Sequence, residues 1–222
     1  MKNNTSTLSF ISGSLRPGGA EKRMISLANF LNSNGSNVRF FLLNNNGVLR
    51  DKLSDKVEII VLGYPKYGSI FCKFPFQFIH LLSILRKEPS NMVYSTLYFS
   101  NLLLLLITLF LPKNKLIPVV GIVTNPVRFE KRLFWLLFVR KLYNRAAKII
   151  CNSKGIEDYI TSKWHLDEKL LKTIYNGVDF NLINSQKREK IDSNVFNRKY
   201  KTIISVGSLI EVKNQIDQIK VL

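Results

Sequence analysis

The sequence predicts an α/β protein built on a doubly wound, mostly parallel sheet of Rossmann-like type. Short runs rich in β-branched and aromatic residues alternate along the chain with longer stretches at helical spacing. Their order is β-α-β, repeated, and parallel strands need helical crossovers that cover the sheet. The 222 residues, 46% of them hydrophobic, suffice for one ordinary core and the beginning of another.

Strands are expected at 8–12, 38–43, 57–62, 92–95, 117–123, 148–152 and 172–175, each a brief apolar run between polar turns. Helices are expected at 20–34, 74–87, 100–111, 130–145 and 154–163, where apolar positions recur at three and four. A polar, charged stretch at 184–201 then breaks the pattern and reads as a linker. Beyond it the pattern restarts with a strand at 202–206, a loop at 207–213 and helical spacing at 214–222. The expected organisation is a first domain over 1–183, the linker, and the opening of a second, truncated domain over 202–222. One strand and part of one helix leave their apolar faces without partners.

The net charge is +18, from 33 Lys and Arg against 15 Asp and Glu. Such an excess fits nucleic acid, an anionic membrane face or phosphorylated small molecules. It is spread over both halves, with no basic arm and no nucleic-acid-reading motif. Cys72 and Cys151 stand far apart in apolar surroundings, outside any metal-ligand spacing, so free thiols in a reducing compartment are expected. The amino terminus has no long apolar stretch of the signal-peptide kind. The strongest apolar run, 102–111, is far shorter than the roughly 20 residues that span a bilayer.

The first motif is SGSLRPGGAEK, where a strand runs into a glycine-rich loop and a helix begins. Gly18 and Gly19 would let the backbone approach a ligand and take φ values closed to other residues. The helix amino terminus behind them would offer free N–H groups to a phosphate or hydroxyl. A tight strand-to-helix turn explains the same residues. Neither the dinucleotide fingerprint nor a Walker lysine is present.

Four elements in order carry a resemblance: PGGAEK at 17–22, CNSKGIEDYI with Ser153, IYNGVDF at 174–180, and SVGSLIEVKNQIDQI at the carboxyl end. Together they resemble the GGAE loop, a strand-helix serine junction, the NGVD element and the VGRLxxxKN element of family-4 glycosyltransferases of GT-B fold. Tyr175 stands where proline is usual. The resemblance covers nearly the whole chain and implies transfer of a sugar from a nucleotide-sugar donor to a saccharide or lipid-linked acceptor in surface polysaccharide or glycoconjugate synthesis, with retention.

The resemblance implies that Gly18 and Gly19 lie near the donor diphosphate, together with Gly207, Ser208 and Lys213. Family members commonly carry an arginine at the Ser208 position beside the lysine, two cations for the charge that grows as the glycosidic bond breaks. Without the resemblance Lys213 is an ordinary solvated lysine. After the fifth strand the chain reads GIVTNPVRF, with Asn125 nearest the place of a histidine common in relatives. Asn125 and Arg128 are candidate acceptor-side groups, or equally a proline turn with a surface arginine. Asn176 and Asp179 are read as shaping a turn. His80 and His165 fall in helical stretches, away from these loops.

The family's paired glutamates, which would hold the ribose and donor sugar, have no counterpart before Leu222, so catalytic residues stay unassigned and the chain alone is expected to be inactive. No DxD cluster is present, and neither metal nor other cofactor is expected. Two basic, aromatic segments, 69–87 and 128–148, suit either an anionic membrane surface or the core-facing side of the sheet helices. The expected location is the cytoplasm, peripheral at the inner membrane face, with a polyprenyl-diphosphate-linked acceptor. A non-catalytic partner subunit and, further behind, a nucleic-acid-binding module are the competing readings.

Overall fold

The computed structural model describes residues 7–63, 70–112, 114–124, 133–189, 203–207, 209 and 211–221. The chain divides into two compact units, Met1–Asn176 and Gly177–Leu222.

The first unit is an α/β sheet domain. Its strands are β1 (Thr7–Ser12), β2 (Asn37–Leu42), β3 (Glu58–Val61), β4 (Met92–Thr96), β5 (Ile117–Ile122), β6 (Lys148–Cys151) and β7 (Leu171–Thr173). The seven strands expected before the linker all form, every pairing is parallel, and the order is β3-β2-β1-β4-β5-β6-β7. The order reverses between β1 and β4, and the connections there diverge to leave a crevice at the strands' carboxyl ends. The helices are α1 (Gly19–Ser33), α2 (Ile70–Lys87), α3 (Tyr98–Ile107), α4 (Leu133–Tyr143) and α5 (Lys154–Trp164).

Strand side chains alternate between two cores. Ile11, Phe41, Val93, Val120 and Ile149 point to one face and meet Leu81 and Leu85 of α2, Leu103 to Ile107 of α3, Leu142 of α4 and Ile160 of α5. Phe10, Phe40 and Leu42 point to the other face and meet Met24, Ile25 and Ala28 of α1. Beyond β1 on that second face, Met92, Tyr94, Val119 and Ile150 line an apolar cavity of about 210 Å³ with Leu27, Leu31 and Tyr175. The motif asparagine Asn176 accepts a hydrogen bond from Arg23 of α1 beside this cavity.

Two helix boundaries differ from expectation. α2 begins a turn before residue 74, with Pro75 inside it rather than in its first turn. α3 ends at Ile107, because the chain tightens into i→i−3 hydrogen bonds (Leu109 N–H to Leu106 O, 3.0 Å; Phe110 N–H to Ile107 O, 2.9 Å). Arg145 donates to the carbonyl of Thr108 at 2.5 Å and to its hydroxyl at 2.8 Å, which fixes that end.

In the second unit, α6 (Phe180–Gln186) and α7 (Gln215–Lys220) form. The expected strand at 202–206 does not: its described residues, 203–206, carry no strand structure and lie exposed. A lone strand has no neighbour to take its N–H and C=O groups.

Two ion-pair clusters pin the sheet. Arg39, nearly buried on β2, donates to Glu58 at 2.8 Å and to Glu88 at 2.6 Å. The motif serine Ser153 caps α5, its hydroxyl accepting from the Ile156 N–H at 3.4 Å. One turn on, Glu157 takes Lys154 at 2.6 Å and the Thr173 hydroxyl, tying α5 to β7. Cys151 is a buried free thiol, pushed up to about 12 by burial, then by Glu157; the Cys72 side chain lies outside the described residues.

Lys154 first, then Thr173, holds the Glu157 carboxyl below its ordinary 4.5. A depressed carboxylate adds stability above its unfolded pKa and loses it as pH falls through the folded value. Glu157→Gln is therefore expected to unfold more easily than wild type at neutral pH. Urea titrations across pH check this: the gap between the two proteins should narrow as pH drops below 4.5, and a gap independent of pH would refute the linkage.

Candidate functional site

At the switch point, the carboxyl ends of β1, β2 and β4 open into a crevice of about 530 Å³. Gly13, Ser14 and Arg16 line it from the β1 loop, Asn44 and Asn46 from the β2 loop, and Tyr98, Phe99 and Ser100 from the first turn of α3. Thr124, after β5, completes the wall.

The β1 and β2 loops are locked together. The Leu15 N–H donates to Asn46 O at 2.9 Å, the Leu49 N–H to Leu15 O at 3.1 Å, and the Asn44 N–H to Gly13 O at 3.0 Å. Leu15 is fully buried. Gly47 makes the approach possible: its φ is +133°, and a Cβ there would stand 1.9 Å from the Leu15 carbonyl carbon. Arg16 is thereby held out, exposed, on a fixed loop.

The opposite wall rests on a strained residue. Leu97, between β4 and α3, has φ +70° and ψ 153°, a region nearly exclusive to glycine that costs about 1–3 kcal/mol. A buried polar network over-determines it. The Ser95 hydroxyl donates to Asn101 Oδ1 at 2.8 Å, and Asn101 Nδ2 donates to the Gly121 carbonyl at 2.9 Å and the Tyr143 hydroxyl at 3.2 Å. Burial pushes Tyr143 up to about 12, so it stays a neutral phenol. The network ties β4, α3, β5 and α4 together directly beneath the crevice. Above it, the first turn of α3 has no side-chain cap and faces the opening with its N–H groups.

Gly18 and Gly19 begin α1, also without a side-chain cap, two and three residues beyond Arg16. Their backbone does not need glycine in the way the sequence reading supposed. Gly18 sits at φ −151°, open to any residue, and a Cβ would meet only the flexible Glu21 carboxylate; around Gly19 nothing lies within 4 Å. What glycine provides here is open space above the helix end. Asn125 and Arg128 lie outside the described residues, although Thr124 brings the chain to the crevice wall just before them.

In the second unit Gly207 and Lys213 come together: a Cβ on Gly207 would touch Lys213 Cγ and Cδ at 3.5 Å. Ser208 lies outside the described residues. Neither histidine is at the crevice. His80 is exposed on α2, and His165 ends α5 in a left-handed conformation beside Arg140 and Lys141 of α4. Sequence reading passed over Arg16, Tyr98, Phe99 and Asn101. Of these, Asn101 carried a signal, a lone amide in an otherwise apolar helix.

The parallel sheet, its switch-point crevice and two uncapped helix starts beside it define the ligand-binding half of an α/β enzyme. The chain belongs to Glycosyltransferase Family 4, which matches residues 17–182. No curated protein matches it. Among solved structures, the Anabaena protein HepE in complex with UDP and glucose is 19% identical, with a TM-score of 0.62 over 80% of this chain and 46% of its own. A glycosyltransferase from Rickettsia africae is 16% identical, with a TM-score of 0.63 over 84% and 47%. Sucrose-phosphate synthase from Thermosynechococcus elongatus is 15% identical, with a TM-score of 0.63 over 80% and 49%. The fold is that of the amino-terminal domain of GT-B glycosyltransferases, and the chain spans about half the length of these proteins.

Asn101→Ala would remove three hydrogen bonds and orphan Ser95 Oγ and the Gly121 carbonyl. A loss of about 2–4 kcal/mol is expected. Chemical denaturation measures it, and a loss within about 0.5 kcal/mol, the range of inert surface changes, would show that the network does not hold the crevice wall.

Proposed function

We propose that the protein transfers a sugar, with retention, from a nucleotide-sugar donor to a saccharide or polyprenyl-diphosphate-linked acceptor in the building of surface polysaccharide or glycoconjugate. The observation that carries this reading is the crevice at the switch point, where Arg16, the uncapped first turn of α3 and two aromatic rings face one space. Such a space suits a phosphorylated, ring-bearing acceptor. Arg16 and the α3 N–H groups meet its oxygens, while Tyr98 and Phe99 offer faces to a sugar.

Gly207, Ser208 and Lys213 are assigned to the donor diphosphate, and the openings at Gly18 and Gly19 to the same group. Lys213 supplies positive charge that offsets the negative charge growing on the leaving diphosphate as the sugar–phosphate bond breaks. Asn125 and Arg128 are assigned to the acceptor side. No metal or other cofactor is assigned a role in this scheme. HepE has been crystallised with UDP-glucose, which supports a nucleotide-sugar donor here, and WaaB is a lipopolysaccharide outer core galactosyltransferase, which supports sugar transfer to a surface glycoconjugate. The protein would work in the cytoplasm, peripheral at the inner membrane face.

The test is turnover by the protein carrying the family's paired glutamates, with UDP-glucose and UDP-galactose offered against lipid-linked saccharides. Lys213→Ala is expected to lower kcat/KM by about 10²–10³. Arg16→Ala is expected to raise the acceptor KM about tenfold, the effect of one charge-assisted hydrogen bond, with kcat less affected. No transfer with any nucleotide-sugar would leave a non-catalytic partner subunit as the better reading. An unchanged acceptor KM in Arg16→Ala would move the acceptor elsewhere.

A further inference from the structure

The foot of the sheet, at the amino-terminal end of β5, holds a cavity of about 390 Å³. The turn after α3, the start of β5 and the turn between α4 and β6 enclose it. The crevice lies at the other end of the same strand. β5 runs from Ile117 to Ile122, so roughly 17 Å of strand separate the two, at about 3.3 Å per residue. The volume falls within the range of small-molecule sites, about 300–1,000 Å³. Leu111, Pro112, Leu116, Ile117 and Pro118 give the cavity an apolar wall. Backbone hydrogen bonds fix that wall: the Lys115 N–H donates to Pro112 O at 3.0 Å, the Ile117 N–H to Asn91 O at 3.0 Å, and the Ala147 N–H to Pro118 O at 2.8 Å.

The polar side of the cavity is the half-buried Arg145. Its Nε donates to the Thr108 hydroxyl at 2.8 Å and its Nη2 to the Thr108 carbonyl at 2.5 Å. Of the five N–H groups of a guanidinium, these bonds engage two, and three remain along the Nη1–Nη2 edge. That edge suits a carboxylate or phosphate held by two parallel bonds. Among the described residues no acid answers this charge. Arg39 and Lys154 each meet two carboxylates, whereas Arg145 has no ion pair there. The sequence has no Asp or Glu at 89–129 or at 131–156, which include the segments that build the cavity. Lys115, exposed on the loop that forms the apolar wall, adds a further positive charge. A half-buried cation without a counter-charge is costly, and a bound anion relieves it.

We propose that this cavity is a binding site for a small amphipathic anion, a molecule with an apolar ring or short chain and one carboxylate or phosphate. The acid group seats on the open edge of Arg145, and the apolar body lies against Leu111, Leu116 and Ile117. The clamp on Thr108 orients the guanidinium before the ligand arrives, so little rotamer freedom is lost on binding. Neither half of the ligand suffices alone. Inorganic phosphate leaves the apolar wall in water, and a neutral ring leaves the guanidinium without a counter-charge. The site is separate from the crevice and needs no sugar transfer to hold.

Isothermal titration calorimetry of the intact protein tests it. Benzoate and phenyl phosphate are the probes; inorganic phosphate and benzyl alcohol are the controls for charge and ring. Saturable one-to-one binding is expected for at least one probe, about tenfold or more tighter than for either control. The tighter probe tells a carboxylate site from a phosphate site. Ala147→Phe fills the cavity, and Ile117→Glu, at a side chain 52% exposed, sets a carboxylate against Arg145. Neither replaces a partner in the clamp on Thr108, and thermal melts confirm that both are folded. Each should weaken the probe about tenfold or more, while Arg16→Ala, in the crevice, leaves it unchanged. The proposal is overturned if neither probe binds saturably, or if a control binds as tightly as the probes. It is equally overturned if both folded variants bind like wild type, or if Arg16→Ala abolishes binding, which would put the probe in the crevice.

Discussion

The buried amide of Asn101 sits where four elements of the domain meet. It holds Ser95 at the end of β4, the Gly121 carbonyl on β5 and the Tyr143 hydroxyl on α4, while its own backbone belongs to α3. A buried amide left half-satisfied costs more than an apolar residue in its place, so its presence implies that the geometry around it is fixed. The Leu97 backbone, one turn earlier, is held at a φ a leucine does not choose. That strain aims the first turn of α3 at the crevice instead of back over β4. The opposite wall obeys a similar constraint, with Gly47 allowing the β2 loop to lie directly on Leu15. Both walls are rigid for reasons found below the site, and a site built on such support keeps its geometry when loops above it move.

The sheet was legible because parallel strands buried on both faces read as nearly continuous apolar runs. Phe40 and Phe41 illustrate this: adjacent in sequence, they serve opposite cores. Element ends were less legible. The pattern of 102–111 continues past the end of α3, since the tightening at Thr108 depends on Arg145, 37 residues away. The restart at 202–206 has a strand's composition but no neighbour to pair with. A strand's composition becomes a strand only where hydrogen-bond partners are present.

The site was legible in outline only. The glycine pair at 18–19 was read for φ values that the backbone does not adopt, while the glycine that needs its φ, Gly47, was hidden in the run NNNG, which reads as any turn. A leucine gives no sign that it will take a positive φ. Arg16 was one arginine among many cations, and only the loop contacts that hold it out single it from the rest. Resemblance found the family through motifs at element junctions, as at Ser153, which caps α5, and Asn176, which receives Arg23. These junction residues act mainly on the frame, and the family is recognised by its frame.

The charge surplus takes on meaning from where the few acids go. Glu58 and Glu88 both serve Arg39; Glu157 and Asp158 both reach Lys154. In each case two carboxylates meet one cation, so these four acids serve contacts of the frame. The cations left over are numerous. A protein with +18 repels itself and gains nothing in fold stability from the excess. Under the proposed function, a diphosphate-bearing donor and a lipid-linked diphosphate acceptor would both draw on this field. The paired acids belong to the frame, together with Arg39, Lys154 and Arg145, and it is the remaining cations that such ligands would meet.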